Sequence, residues 1–356
     1  MTENPHKGDE FVLQVERLEK SYPLGGGAFA ATRGFVRAVD DVSFAIRPGQ
    51  TLGLVGESSC GKSTIARLVL RIVDATNGAI WFNDRNAGWV DLNGMSQRRI
   101  RPLRKNIQMI FQDPIASLDP RMPVSRIVGE PLRANPDFPK GDINDRVADA
   151  LRMVGLRPEY MNRFPHAFSG GQRQRIGLAR AIISSPQLVV ADEAVSALDV
   201  SVQAQILNLF RDLQQQLGLA YLFISHDLGV VRHVSDHVAV MYLGRIVEMT
   251  SKSQIFDAPK HPYTEALLAA IPRPNPLIAR RPSIARGEIG DASRRPSGCA
   301  FHPRCRHAID LCKVAVPDFV EVAPGHFAAC HRARDLSLEG TAAGAANRPP
   351  MPMESA

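Results

Sequence analysis

The chain predicts an α/β fold: a parallel core, an antiparallel β subdomain, an inserted helical subdomain and a small Cys-rich C-terminal extension. Three observations carry that prediction. An apolar strand, Thr51 to Val55, runs into Gly56-Glu57-Ser58-Ser59-Cys60-Gly61-Lys62-Ser63-Thr64, and a helical pattern, Ile65 to Leu70, follows. Two further apolar runs, Leu188 to Ala191 and Tyr221 to Ile224, flank the helical period of Val202 to Leu217, as in a parallel α/β core. Between these halves, Pro114 to Pro165 is punctuated by prolines and mostly helical in pattern.

The elements follow in order. Phe11 to Val15, Val42 to Ile46 and Gln50 to Leu54 alternate as short strands, with Pro48-Gly49 as a turn, and read as the antiparallel edge of a mixed sheet. Gly25-Gly26-Gly27 and the residues up to Arg37 read as a flexible insertion. Gly78 to Phe82 adds a strand, and Ile143 to Val154 is the clearest amphipathic helix of the inserted lobe. Val238 to Met249 forms a hairpin that closes the parallel region. The expected divisions are 1–255 for the core with its helical subdomain at about 113–185, 256–335 for the extension, and 336–356 for a disordered tail. The tail follows from composition, because Glu339 to Ala356 is too poor in large apolar residues to fold alone.

Composition narrows the function classes. A chain of 356 residues with 44% hydrophobic residues can bury one large core and an appendage. No stretch approaches the roughly 20 consecutive apolar residues that span a bilayer, and Met1 to Glu10 lacks a signal peptide's apolar region. A cytosolic or peripheral protein is expected. The net charge of +7 gathers in Arg98 to Lys105, Arg280 to Arg286 and Arg294 to Arg306, stretches that suit solvated surface, nucleic acid or anionic lipid. Five cysteines in a reducing compartment argue against disulfides.

The loop Gly56 to Thr64 has the setting of a phosphate-binding loop, so the core is that of a P-loop NTPase. Successive N–H groups form an anion nest at a helix N-terminus; Lys62 would reach the β- and γ-phosphates of ATP, and Ser63 would ligate Mg²⁺. Ser59 stands where such loops usually carry Gly, which implies tolerance or slight strain. Asp192-Glu193 ends an apolar strand at the carboxyl edge of the sheet. Asp192 suits the Mg²⁺ shell, and Glu193 is placed to orient or deprotonate the attacking water.

Phe168-Ser169-Gly170-Gly171-Gln172 resembles the signature motif of ATP-binding cassette ATPases, whose usual form begins with Leu. In that family the Ser and the glycines bind the γ-phosphate of an opposing subunit, so the resemblance implies a head-to-tail dimer. It also implies roles residue by residue: Tyr22 stacks on adenine, Gln112 reaches Mg²⁺ and the attacking water, Ser196-Ala197-Leu198-Asp199 crosses the dimer interface, and His226 is the switch histidine. Ala194 replaces a proline common after the catalytic Glu. The resemblance covers about Phe11 to Thr250. His261-Pro262-Tyr263-Thr264-Glu265-Ala266-Leu267-Leu268 with Ile271-Pro272 then resembles the extension of oligopeptide and dipeptide importer ATPases. The gap between Tyr22 and Ala38, and Gly129 to Leu132, resemble their F-type subunit.

Cys299, Cys305, Cys312 and Cys330 fall in one short stretch. Similar importer ATPases carry a [4Fe–4S] cluster on this pattern; by ligand type and spacing the thiols suit that cluster, Zn²⁺ or no metal. Arg304, Arg306 and Lys313 could offset an anionic ligand set, and His302, His307 or His331 could substitute as zinc ligands. Cys60 reads as a small filler. The reading is an ATPase subunit, peripheral at the cytoplasmic face of the cytoplasmic membrane, that powers import of di- or oligopeptides. Its implied partners are two transmembrane permease subunits, a second, related cassette subunit and, indirectly, an extracytoplasmic substrate-binding protein. No nucleic acid is expected. The rivals are an importer for nickel, opines or sugars, an exporter ATPase, and a soluble cassette clamp on ribosomes or DNA, which usually has two cassettes or a long coiled coil.

Overall fold

The computed structural model describes residues 10–24, 34–113, 116–135, 138–271, 290 and 294–341. Strands β1 (Leu13–Leu24) and β2 (Gly34–Ile46) pair antiparallel, and β3 (Thr51–Val55) leads into α1 (Lys62–Val69). Next come β4 (Asn77–Asp84), β5 (Gly88–Asp91), α2 (Gln97–Ile100) and β6 (Ile107–Ile110). The inserted lobe holds α3 (Val124–Val128), α4 (Glu130–Arg133), α5 (Ile143–Met153) and α6 (Gly170–Ile182). The chain returns through β7 (Leu188–Asp192), α7 (Val200–Leu217), β8 (Ala220–Ser225), α8 (Leu228–Val234), β9 (His237–Tyr242) and β10 (Arg245–Ser251). The extension contains α9 (Lys252–Asp257), α10 (Pro262–Ala269), α11 (Asp310–Val314), β11 (Val320–Ala323) and β12 (His326–Ala328).

Two sheets result, ordered β2-β1-β4-β5 and β11-β12-β10-β9-β3-β8-β7-β6. One correction concerns β3. Grouped by pattern with the antiparallel strands, it lies inside the larger sheet, parallel to β8 and β9. All five of its residues are buried, as a strand covered on both faces requires. A second concerns the expected insertion before Arg37: Leu24 pairs with Gly34 and Tyr22 with Val36, so residues 34–37 extend a long hairpin. Residues 25–33, with the triple glycine, lie outside the described residues.

One apolar core fills the space between the two sheets and α1, with Phe44, Ile65, Leu68 and Phe82 buried. The other joins the opposite face of the large sheet to α7 and the lobe, through Phe210, Phe223, Val147 and Ile176. Burying such side chains stabilises by about 1.5–3 kcal/mol each before entropy is counted. Burial on both faces positions the site: β3, β6, β7 and β8 run parallel, so their carboxyl ends meet at one edge.

At the far end, the residues from 336, read as the start of a tail, are tied to the fold. Leu338 is buried, the Glu339 N–H donates to Glu265 Oε1 (3.0 Å), and the Thr341 N–H donates to the Phe256 carbonyl (2.7 Å). Composition missed this because backbone bonds to α9 and α10 replace apolar bulk. Residues 342–356 lie outside the described residues.

Candidate functional site

The phosphate loop hangs from β3 and enters α1 at Gly61, which has φ 110°. Close approach demands glycine twice, since a Cβ at Gly56 would run into the Met241 carbonyl and one at Gly61 into the Ala38 carbonyl. Of the two alternatives for Ser59, its φ of 63°, in the left-handed region, matches slight strain. Lys62 is buried and folded back, its Nζ donating to the Gly56 and Glu57 carbonyls at 2.8 Å each. Those carbonyls occupy the ammonium. Cys60 is buried and packs beneath the loop, its Sγ 3.7 Å from Lys62 Nζ; burial pushes its thiol pKa up.

From the end of β7, Asp192 accepts a hydrogen bond from Ser63 Oγ at 3.1 Å. Burial, with the charge of Glu193, raises the Asp192 pKa although the Ser63 bond opposes it. A hydroxyl and a carboxylate side by side are hard oxygen donors, the set that Mg²⁺ prefers. Glu193 follows with φ 48°, a conformation that costs of order 1–3 kcal/mol for a non-Gly residue and clusters at active sites. Its N–H donates to the Ile224 carbonyl at 2.9 Å, which holds the turn. Gln112 Nε2 donates to Glu193 Oε2 at 2.9 Å, and His226 Nδ1 lies 3.3 Å from Glu193 Oε1. The ends of β3, β6, β7 and β8 thus bring Lys62, Ser63, Gln112, Asp192, Glu193 and His226 to one edge.

The other motif residues stand apart from this edge or join it through loops. Tyr22 is 37% exposed near the tip of the β1–β2 hairpin, with Lys20 Nζ 5.0 Å above its ring; the same hairpin's Ala38 carbonyl abuts Gly61. Ser169 caps α6 in a reciprocal box with Gln172, at 3.1 and 3.3 Å, and Ser169 and Gly170 are exposed. Gly171 has no room for a side chain because Val202 of α7 packs against it. Phe168 is buried edge-on to Tyr160, ring centroids 5.5 Å apart, so its bulk fills the lobe. Ser196 Oγ donates to the Glu193 carbonyl at 3.0 Å, linking Ser196 to Asp199 with the acidic turn.

The four C-terminal cysteines are free and line one cavity together with Phe301 and His331. Burial and mutual repulsion push the Cys299 thiol up to about 11 and Cys330 to about 12, so both are protonated at neutral pH. The spacing predicted a ligand set; among the described residues no three His, Cys, Asp or Glu side chains form a metal-binding group. Nor do the expected cations serve the thiols: Arg304 is bonded to Glu57, Arg306 to Glu265 and Lys313 to Asp310. The Cys312–Cys330 gap contains the β11–β12 hairpin.

Two contacts went unseen in the sequence. The Glu57 N–H donates to Tyr263 Oη at 2.8 Å, and Arg304 forks onto the Glu57 carboxylate at 2.8 and 2.9 Å. The partners are 206 and 247 residues apart, beyond the reach of any local pattern.

A phosphate loop, an acidic strand end and a capped SGGQ helix define a nucleotide-hydrolysing cassette. Residues 39–196 match the ABC transporter family, and residues 247–312 match the family described as the oligopeptide/dipeptide transporter C-terminal region. The oligopeptide transport ATP-binding protein AppF of Bacillus subtilis is 47% identical over 325 residues, spanning 90% of this chain and 97% of that one. A probable peptide ABC transporter ATP-binding protein of Sinorhizobium fredii is 49% identical, over 90% of this chain and 89% of its own. The solved cbiO1 of Clostridium perfringens, part of an ABC transporter complex, is 26% identical with a TM-score of 0.58, covering 69% of this chain and 91% of that chain. A dimeric bacterial ABC transporter cassette shares the fold, with a TM-score of 0.59 at 23% identity, covering 67% of this chain and 98% of that chain. The chain belongs to the ABC transporter ATPases, in the group that carries the oligopeptide/dipeptide transporter C-terminal region. It is an ATPase that uses ATP and Mg²⁺.

Proposed function

We propose that this subunit hydrolyses ATP at an interface with a second, related cassette subunit and thereby powers uptake of di- or oligopeptides. The observation that carries the catalytic part is the convergence of Gln112 and His226 on Glu193, the residue after Asp192, which itself accepts from Ser63. In this reading Glu193 takes a proton from the water whose oxygen bonds the γ-phosphorus, and ADP leaves with the bridging oxygen. Lys62 exchanges the loop carbonyls for phosphate oxygens. Ser63 and Asp192 would hold Mg²⁺, which would supply charge that offsets the developing phosphoryl charge. Ser169, Gly170, Gly171 and Gln172 serve the partner's γ-phosphate, Ser196 to Asp199 line the dimer interface, and Tyr22 stacks on adenine. Peptide cargo is supported by the C-terminal region and by relatives named for peptide transport.

No helix among the described residues is long and apolar enough to cross a membrane. The subunit is accordingly proposed to dock peripherally, at the cytoplasmic face, beneath two permease subunits fed by an extracytoplasmic binding protein. The extension is proposed to hold a [4Fe–4S] cluster on Cys299, Cys305, Cys312 and Cys330. Four thiols around one cavity support this, since a bound cationic centre would favour the thiolates that burial otherwise disfavours. Iron and sulfide analysis after anaerobic purification tests it, and stoichiometric zinc would replace the cluster with a structural Zn²⁺ site. For transport, Glu193→Gln protein is purified with Mg-ATP in mild detergent. Two polytopic membrane proteins and a second cassette should copurify; ribosomal or nucleoid chains without membrane proteins would overturn the transport reading.

A further inference from the structure

Glu57 places a carboxylate inside a loop whose task is to receive the most highly charged part of a nucleotide. Every polar group of this residue is engaged. Its N–H meets Tyr263 of α10, its carbonyl accepts from Lys62, and both carboxylate oxygens are taken by Arg304. Arg304 sits between Pro303 and Cys305 in the thiol lobe, only 10% of its side chain exposed, with its guanidinium 5.9 Å from the Tyr242 ring and 5.7 Å from Phe301. Those rings and Tyr263 form one cluster, with centroid separations of 4.6 to 5.4 Å. The guanidinium plane is therefore fixed before it meets Glu57, and a bidentate fork onto a carboxylate is both strong and directional.

We propose that Arg304, with Tyr263, is a positioning residue of the ATP site: it neutralises Glu57 and steers that carboxylate away from the incoming triphosphate, so that the extension completes the phosphate loop. Without the fork, Glu57 presents an uncompensated negative charge beside the phosphates, and its partly buried carboxylate, 20% exposed, is less screened than a surface charge would be. The Tyr263 bond fixes the orientation of the first peptide of the nest. Binding therefore depends on Arg304 through charge, whereas the proton-transfer machinery at Glu193 does not touch it.

The inference rests on the loop's role as the ATP site, and the experiment separates the two. Full-length wild type, Arg304→Gln, Arg304→Lys, Glu57→Gln and the double variant Arg304→Gln/Glu57→Gln are titrated with Mg-ATP, followed by steady-state phosphate release. Arg304→Gln should weaken ATP binding and raise KM by about tenfold, the worth of one charge-assisted pair, with kcat within about twofold. In the Glu57→Gln background the same change should cost under about twofold, and Arg304→Lys should fall between wild type and Gln. An equal loss in both backgrounds, or a loss in kcat alone, overturns the proposal. If Arg304→Gln does not fold, Arg304→Lys against its Glu57→Gln counterpart gives the same cycle. Wild type that fails to bind Mg-ATP would instead sink the reading of the loop.

Discussion

The catalytic core and the thiol lobe are stabilised in opposite ways. In the core, β3, β7 and β8 bury every residue, and Phe210, Phe223 and Tyr221 interlock edge to face. The lobe buries few large apolar groups, chiefly Phe301 and Leu338, while Val314 is 78% and Val316 52% exposed. It is fastened by ion pairs from three arginines: Arg295 to Asp40, Arg304 to Glu57 and Arg306 to Glu265. A unit too small to fold on its own apolar surface has made the core's loops part of its interior. The difference teaches that dependence runs both ways, because one borrowed group, Glu57, belongs to the nucleotide loop itself and another, Asp40, stands two residues from Ala38, whose carbonyl abuts Gly61 of that loop.

The sharpest test of the core's independence is chemical. Glu193→Gln should lower ATP hydrolysis by about 10²–10⁴-fold, the range for losing a general base, with an unchanged melting temperature. Phosphate release measures this, and a variant retaining a tenth of wild-type activity would place the base elsewhere. Next in size is a matched pair of cavities. Phe223→Ala should cost about 3–5 kcal/mol and lower the melting temperature of the whole chain. Phe301→Ala leaves a similar cavity, yet its loss should be local: limited proteolysis should cut within 294–341 while the core fragment persists. A single global transition in both variants would erase the contrast.

A third test uses pH. Burial raises the Asp40 pKa, but hydrogen bonds from Arg245 and Arg295 outweigh it and hold the carboxyl below its usual value. A depressed acid adds stability that is complete above the unfolded-state pKa and is lost as pH falls through the folded one. Hydrogen exchange in 294–341 should therefore quicken on acidification, and Asp40→Asn should quicken it already at pH 7 by an amount equivalent to about 1–3 kcal/mol. The smallest effect belongs to Ser59→Gly. Removing a left-handed side chain should stabilise the loop by about 1 kcal/mol, read as a slightly higher melting temperature. No gain would mean that the loop recovers the strain elsewhere.

The site edge was legible in the sequence because each of its residues follows an apolar run or sits in a spaced motif. Lys62, Ser63, Asp192 and Glu193 could be placed from such runs and the loop motif, whereas Gln112 and His226 drew their weight from the family resemblance. Several short strands were missed. β6 is four residues long after a basic stretch, and β11 and β12 alternate too briefly to stand out. The pairing of Arg304 with Glu57 was illegible for another reason. A charged residue in a basic stretch reads as solvated surface, and only tertiary approach shows what it meets.

The β11–β12 hairpin has one more consequence. By adding to β10, it leaves the eight-stranded sheet with β11 at one edge and β6 at the other, each only four residues long. At β11 the Glu321 side chain folds back to accept from the Gly325 N–H at 2.7 Å. Short, interrupted edges are poor templates for strand addition, the route by which open sheets stick to one another. A subunit in crowded surroundings is thereby guarded against edge-to-edge self-association.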